Sequence, residues 1–211
     1  MSALTNLSIT INAGESIGFI GPSGAGKTTL VDVLLGLLEP QNGEIFYNDE
    51  KLIESMAFWH SKVAYLPQQV FLIDDTLRRN IALGIEDSDI DDARLNEAIR
   101  QSSLLEIVNQ LPEGIETIIG ERGVRLSGGQ RQRVAIARAF YYDKSVFIMD
   151  ESTNALDNET EREIVKEIKL LKGKKTIIVI AHRHSTVQYC DLIYRLEKGR
   201  IIEVGKPDKI L

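Results

Sequence analysis

Residues 16–31 read SIGFIGPSGAGKTTLV, and this stretch decides the fold of the chain. The run at 16–20 does not alternate between apolar and polar residues, which is typical of a strand buried on both faces. The run at 21–28 has the spacing of a phosphate-binding loop, where glycines let backbone N–H groups point at phosphates. A glycine turn with a surface lysine would fit the same letters, but the flanking strand and apolar helix favour nucleotide binding.

The loop offers a set of candidate nucleotide contacts. Lys27 carries a positive charge for the β- and γ-phosphates, and the Thr28 hydroxyl is suited to bind Mg²⁺. The candidate contacts are Gly21, Pro22, Ser23, Gly24, Ala25, Gly26, Lys27, Thr28 and Thr29.

Two further apolar runs end in reactive side chains. The run at 145–149 precedes Asp150 and Glu151, and the run at 176–181 precedes His182. Ligands of parallel α/β sheets bind outside the carboxyl ends of the strands. The pattern predicts an α/β fold: a P-loop NTPase core with a mostly parallel sheet and a small antiparallel portion.

These strand ends suggest a division of chemical roles. A carboxylate at Asp150 needs a cation, and Mg²⁺ is the natural partner, with Thr28 and Gln68 as further metal ligands. Glu151 could deprotonate a water, a role worth about 10²–10⁴-fold in rate. Gln68 could also contact that water, and His182 could donate to the γ-phosphate. The plainer alternatives are a helix cap for Glu151, a loop amide for Gln68 and a structural histidine for His182.

Helical patterns lie between the strands. Residues 71–140 are mostly helical and predict a helical subdomain inserted into the α/β core. Residues 44–47 predict an edge or hairpin strand, and 191–196 with 200–204 predict a hairpin. The predicted helices cover residues 27–38, 93–108, 130–139 and 160–171.

A second glycine-rich element, Leu126-Ser-Gly-Gly-Gln130, opens the helix at 130–139. A helix start with small residues and free N–H groups binds anions, so Ser127, Gly128, Gly129 and Gln130 are candidate ATP contacts. Ser127 as an ordinary N-cap does not conflict with this, because a capped helix start is how phosphate would be bound. Since the phosphate loop begins a different helix, a head-to-tail dimer would let each chain cover the nucleotide of the other.

The overall composition narrows the class of protein. A net charge of −6 gives no support to a nucleic-acid-binding surface. The single cysteine, Cys190, excludes an internal disulfide and suits a reducing compartment. We find neither an apolar run that could span a bilayer nor a signal peptide, so we expect a cytoplasmic location and any membrane role to come through a partner or a missing segment.

Six motifs in their usual order resemble those of the nucleotide-binding domain of ABC transporters, over the whole of 1–211. The segments 71–81 and 120–123 resemble the exporter subclass, in which each cassette is usually fused to a membrane domain. The six motifs are Walker A at 21–28, the Q-loop at Gln68, the signature at 126–130, Walker B at 146–150 with Glu151 as catalytic base, the D-loop at 155–157 and the switch His182.

The resemblance implies a function and a setting. It implies an ATPase that uses ATP and Mg²⁺ and powers an exporter or flippase. The implied partners are a second cassette, as a homodimer or a related heterodimer, and a transmembrane domain on the same native polypeptide. It implies no nucleic-acid partner and a place at the cytoplasmic face of the cell membrane, with the chain itself soluble.

Three positions depart from the family pattern. Asn154 replaces the usual serine, and His184 replaces the usual leucine. The family also places an adenine-stacking aromatic residue upstream of Walker A, whereas Phe19, in the core strand, is the only aromatic before Gly21. We therefore expect an N-terminally truncated cassette of an exporter-like polypeptide, which binds ATP weakly for want of base stacking.

Two other functions remain open alternatives. A soluble ABC ATPase of DNA repair or translation would carry a long coiled coil or a second cassette, and this chain has neither. A non-catalytic, nucleotide-gated dimerisation module is disfavoured because Glu151, His182 and Gln68 are all present. Residues that would select a transported substrate are not recognisable in the chain.

Overall fold

The computed structural model describes residues 3–121, 123–150, 156–181 and 184–211. They divide into two compact units. The first unit holds the described residues of 1–65, 144–151 and 172–211, and the second holds those of 66–143 and 152–171.

The described residues form short strands and helices. In chain order the strands are β1 (Ser16–Ile20), β2 (Phe46–Tyr47), β3 (Glu50–Lys51), β4 (Val63–Leu66), β5 (Asp75–Thr76), β6 (Ile118–Ile119), β7 (Val146–Asp150), β8 (Thr176–Ile180), β9 (Leu192–Glu197) and β10 (Arg200–Gly205). The α-helices are α1 (Lys27–Leu34), α2 (Met56–Lys62), α3 (Leu77–Ile81), α4 (Asp92–Gln101), α5 (Leu105–Gln110), α6 (Gly128–Tyr142), α7 (Asn158–Leu171), α8 (His184–Val187) and α9 (Pro207–Ile210).

A six-stranded sheet with the order β10-β9-β1-β8-β7-β4 organises the first unit. β1 pairs in parallel with both β8 and β9, and β7 pairs in parallel with β8. β9 and β10 form the predicted antiparallel hairpin, and β2 and β3 form a small antiparallel ribbon. The predicted fold class, a mostly parallel P-loop sheet with a small antiparallel portion, is confirmed.

The core of the first unit lies around β1. All five residues of β1 and of β7 are buried, as their continuous apolar runs predict for strands covered on both faces. Leu30 and Val31 of α1 join the same cluster, and the Phe19 ring stacks on Tyr194 at 5.3 Å between centroids. The sheet centre, from which the phosphate loop emerges, is therefore the most buried part of this unit.

Helices dominate the second unit. α6 packs against α3 and α4, and Asp91 caps the start of α4 by accepting from the Arg94 N–H. The one sheet among the described residues of this unit is the two-residue pairing of β5 with β6.

Two predicted helices are shorter in the structure. The helix predicted over 27–38 ends at Leu34, because Gly36 takes a left-handed conformation with φ 72° that stops a helix. The helix predicted over 93–108 is interrupted between α4 and α5, where Ser103 has φ 54°. In both places a single left-handed residue, invisible to apolar periodicity, ends the helix.

A buried polar network in the second unit joins α3 to α6. Asn80 is fully buried, and its amide donates to the carbonyls of Ile73 (3.0 Å), Asp75 (3.2 Å) and Thr76 (3.0 Å). Arg138 donates to Asn80 twice: its Nε donates to the Asn80 backbone carbonyl, and its Nη2 donates to the Asn80 side-chain carbonyl. The network fixes the loop before α3 onto α6.

We expect Asn80→Ala to lower the free energy of unfolding by about 3 kcal/mol, because several buried carbonyls lose their donor at about 1–3 kcal/mol each. Urea titration followed by circular dichroism measures the change. Asn109→Ala, at an exposed position of α5, is the matched control and should change stability by about 0.5 kcal/mol or less. Equal stability of the two variants would show that the Asn80 network adds nothing.

Candidate nucleotide-binding site

The phosphate loop connects the end of β1 to the start of α1. Gly26 caps α1 with φ 102°, a left-handed conformation that L side chains rarely adopt. A Cβ at Gly21 would lie 2.2 Å from the Leu196 carbonyl oxygen, so a side chain cannot fit there. The loop therefore packs closely against the end of β9 and leads into α1, whose first-turn N–H groups have no partners within the helix.

Lys27 extends from α1 back over the loop. The residue is 6% exposed, and its Nζ donates to the carbonyls of Gly21 (2.7 Å) and Pro22 (3.1 Å). Burial of an ammonium group is costly without such partners. Thr28 is exposed and Thr29 half-buried on the same first turn. The loop thus holds a cation and two hydroxyl groups together.

Asp150 lies at the same edge of the sheet as the phosphate loop. It ends β7 and is 7% exposed. Phe19 of β1 and Asp150 of β7 are both register partners of Ile180, on opposite sides of β8. Two strand spacings separate them, so their backbones lie roughly 10 Å apart. The parallel topology therefore brings the Asp150 carboxylate near the loop, as the sequence predicts.

Tyr65 on β4 is a neighbour of Asp150 that sequence reasoning missed. Its hydroxyl donates a long hydrogen bond, 3.4 Å, to Oδ2 of Asp150. Burial, and then the negative charges of Asp150 and Asp32, raise the pKa of Tyr65 to about 12. Tyr65 is thus a protonated donor at neutral pH. Its position in a strand carries no sequence signal for this contact, because β4 and β7 are far apart in the chain.

The oxygen donors of this unit fit Mg²⁺. Thr28 offers a hydroxyl and Asp150 a carboxylate, and Mg²⁺ is bound through one or two such groups together with substrate phosphates and water. Within the described ranges no cluster of three or more His, Cys, Asp or Glu side chains could hold a metal ion.

The second glycine-rich element begins α6 in the second unit. Ser127 is the N-cap, and it forms a capping box with Gln130: the Gln130 N–H donates to Ser127 Oγ (3.2 Å), and the Ser127 N–H donates to Gln130 Oε1 (2.8 Å). Ser127 and Gly128 are exposed. The two side chains stabilise the helix start and leave the N–H groups of Gly128 and Gly129 for an anion.

Some of the predicted site residues are not placed by the structure. Glu151 and His182 lie outside the described residues, as does Asn154. Gln68 is described: it lies two residues after β4 and is exposed. The catalytic assignments of Glu151, His182 and Gln68 therefore remain predictions from the sequence.

No helix in the described part of the chain is both long and apolar enough to cross a membrane. The longest, α6, has 15 residues.

Comparisons with known proteins support the resemblance over the whole chain. The family model described as ABC transporter matches residues 4–154. The ATP-dependent lipid A-core flippase of Ralstonia nicotianae is 42% identical over 212 residues, which cover 100% of this chain and 36% of that protein. The protein of the same name from Alkalilimnicola ehrlichii is 42% identical over 209 residues, covering 99% of this chain and 35% of its own length.

A solved structure, that of a bacterial Atm1-family ABC exporter with ATP bound, agrees with the fold at a TM-score of 0.93 and 34% identity. The match covers 99% of this chain and 37% of that one, so the chain spans about a third of the length of each relative. The relatives are flippases and an exporter, which is the subclass that the motifs indicate. The chain therefore belongs to the ABC transporter family, as one of its nucleotide-binding domains.

Proposed function

We propose that this domain binds ATP with Mg²⁺, hydrolyses it in a head-to-tail pair of cassettes, and so powers an exporter or flippase. The observation that carries the proposal is that buried Lys27, at the start of the helix that follows β1, and buried Asp150, at the end of β7, lie at the same edge of the sheet, where β1 and β7 flank β8. The Atm1-family exporter, whose fold this chain shares, was solved with ATP bound.

In this proposal the first unit binds the phosphates. The loop N–H groups and the Lys27 ammonium contact the β- and γ-phosphates, which would replace the Gly21 and Pro22 carbonyls as partners of Nζ. Thr28 and Asp150 of this unit hold Mg²⁺, which neutralises charge on the phosphates, and Gln68 is proposed as a further ligand.

In the proposed hydrolysis step, three side chains act on the attacking water and on the γ-phosphate. Glu151 takes a proton from the attacking water, and the Gln68 amide orients that water. His182 donates a hydrogen bond to the γ-phosphate.

The exposed start of α6 supports a shared active site. We propose that residues 71–140 form the inserted helical subdomain, and that it presents Ser127, Gly128 and Gly129 to the nucleotide of a second copy or a related cassette. An N-terminal helix end attracts negative charge, so it can close over a γ-phosphate that another chain binds.

The relatives support a membrane setting for the whole protein. They are named as transporters, and each is about three times as long as this chain. We propose a transmembrane domain as partner, a place at the cytoplasmic face of the membrane, and a lipid as cargo, since the relatives at 42% identity are named lipid A-core flippases. Lipid-dependent stimulation of ATPase activity in proteoliposomes tests the cargo.

We expect Lys27→Met to weaken ATP binding by about a hundredfold, because two charge-assisted hydrogen bonds of about 1.5 kcal/mol each are lost. Equilibrium binding of ATP with Mg²⁺, measured by isothermal titration calorimetry, gives the affinity. Lys174→Met, in an exposed loop, is the matched control and should bind as the wild type does.

A stable wild-type chain that binds no ATP would refute the proposed function. Equal affinity of Lys27→Met and the wild type would refute the role of Lys27. Thermal unfolding without nucleotide should accompany both measurements, because Lys27 also holds two loop carbonyls.

A further inference from the structure

Arg133 joins three separate segments of the second unit. It lies on α6, six residues after Ser127, and its side chain is 16% exposed. Nη1 donates to the Ser103 carbonyl at 3.2 Å, while Nη2 donates to Thr160 Oγ1 at 2.5 Å and to Asp157 Oδ2 at 3.2 Å. One guanidinium thus connects α6 to the α4–α5 connection and to the start of α7.

The carboxylate that Arg133 contacts is also held in place by Thr160. Asp157 accepts from the Thr160 N–H at 2.9 Å through Oδ1 and from the Thr160 hydroxyl at 2.8 Å through Oδ2. These bonds, and after them the charge of Arg133, lower the pKa of Asp157 to about 2. Arg133 therefore binds a fixed and ionised acceptor, and the contact sets the position of Asp157 relative to α6.

The geometry of Arg133 is poorly suited to stabilisation alone. Its Nε is buried without a hydrogen-bond partner among the described residues. A buried donor left unpaired costs free energy, and the Asp157 side chain is 61% exposed, where an ion pair adds little stability. The contacts are better explained by the fixed geometry that they impose on α6 and Asp157.

The two segments that Arg133 joins, the start of α6 and the segment ending at Asp157, both have proposed roles in ATP hydrolysis. Ser127, at the start of α6, caps the helix end proposed to bind the nucleotide of the partner. Asp157 closes the segment that begins at Asp150 and carries Glu151, the proposed base of the chain's own site. Through its hydrogen bond to Asp157, Arg133 joins α6, which begins just after Ser127, to the last residue of the segment 150–157.

We propose that Arg133 is a positioning residue for ATP hydrolysis, which holds Asp157 to α6 and thereby links the segment carrying Glu151 of one active site to the helix end that serves the other. This inference rests on the proposed function, because it assigns Arg133 a part in the hydrolysis that the two sites perform. Arg133 acts through Asp157 and touches no reacting atom.

The test is a double-mutant cycle with Arg133→Met and Asp157→Asn. Asparagine keeps an oxygen that can cap α7 and removes the charge that Arg133 contacts. The matched control is Arg100→Met, because Arg100 lines the same groove of about 690 Å³ as Arg133 and forms an exposed ion pair with Glu97 on its own helix. ATPase kcat and KM are measured for this chain and for any longer native polypeptide that contains it.

We expect each single variant to lower kcat about tenfold, the loss expected for one hydrogen bond to a charged group. The KM for ATP should stay within about twofold of wild type, because the phosphate-binding groups are unchanged. The double variant should be no slower than the slower single variant, since both remove the same contact. Arg100→Met should keep the wild-type kcat.

Three results would overturn the inference. A normal kcat in Arg133→Met, or a loss as large in Arg100→Met, would show that the contact does not position the reaction. Losses that multiply in the double variant would show that Arg133 and Asp157 act independently. A wild-type protein without ATPase activity would refute the proposed function itself and this inference with it, whereas an active wild type with a normal Arg133→Met refutes the inference alone. Should Arg133→Met fail to fold, Asp157→Asn against Arg100→Met still decides.

Discussion

Glu151→Gln is expected to slow ATP hydrolysis by about two orders of magnitude or more while ATP binding is retained. The amide keeps the size of the side chain but cannot take a proton from water. The replacement changes none of the proposed phosphate- and metal-binding groups, such as Lys27, Thr28 and Asp150. Single-turnover hydrolysis of labelled ATP measures the rate, and gel filtration with ATP should show a dimer that persists.

The matched control for this experiment is Glu159→Gln, on the exposed first turn of α7. It removes the same charge, eight residues further along the chain, and should keep normal turnover. Near-normal hydrolysis in Glu151→Gln would exclude the role of general base.

The second large effect is complementation between two inactive variants. Glu151→Gln spoils the site that the chain's own phosphate loop forms. Gly128→Asp places a carboxylate at the exposed start of α6, where the γ-phosphate of the partner is proposed to lie. Each homodimer then has two damaged sites, whereas a mixed dimer has one site with both lesions and one with neither. Random mixing makes about half of the dimers mixed, so roughly a quarter of wild-type activity should return.

Each variant mixed with itself gives the baseline for this measurement. Asn42→Asp, at an exposed loop position, controls for the added charge and should stay active. Nucleotide trapping at the intact site should be measured beside turnover, because strong coupling between the two sites would lower the recovered rate. If mixed dimers form but regain neither turnover nor trapping, the sites are not shared.

Much of the fold could be predicted because its signals are local. The continuous apolar runs at 16–20, 145–149 and 176–181 correspond, to within one residue, to the central strands β1, β7 and β8, and the family resemblance is confirmed by the comparisons. The predicted helix over 93–108 was wrong in its continuity, since Ser103 takes a left-handed conformation. Its neighbours Ser102 and Leu104 are fully buried, so tertiary packing outweighed helical periodicity there.

The candidate site likewise contains residues that the sequence identifies and a contact that it does not. Gly21, Gly26 and Lys27 could be assigned from eight consecutive residues, because the strand, the turn and the helix start are neighbours in sequence. The hydrogen bond from Tyr65 to Asp150 joins residues 85 positions apart, and no pattern in the sequence indicates it. The assignments of Glu151 and His182 stay predictions from the sequence.

The sequence by itself determined the elements whose causes lie within a few residues: buried strands, the glycine-rich loop, the capped start of α6 and the order of the motifs. Backbone conformation, capping and apolar periodicity act over that range, so their residues can be recognised without a fold. Only the tertiary structure decided which distant side chains meet, as Asn80 meets Arg138 and Arg133 meets Asp157. Such pairs depend on how strands and helices are ordered and packed after long loops have closed, and that arrangement leaves no periodic mark on the chain.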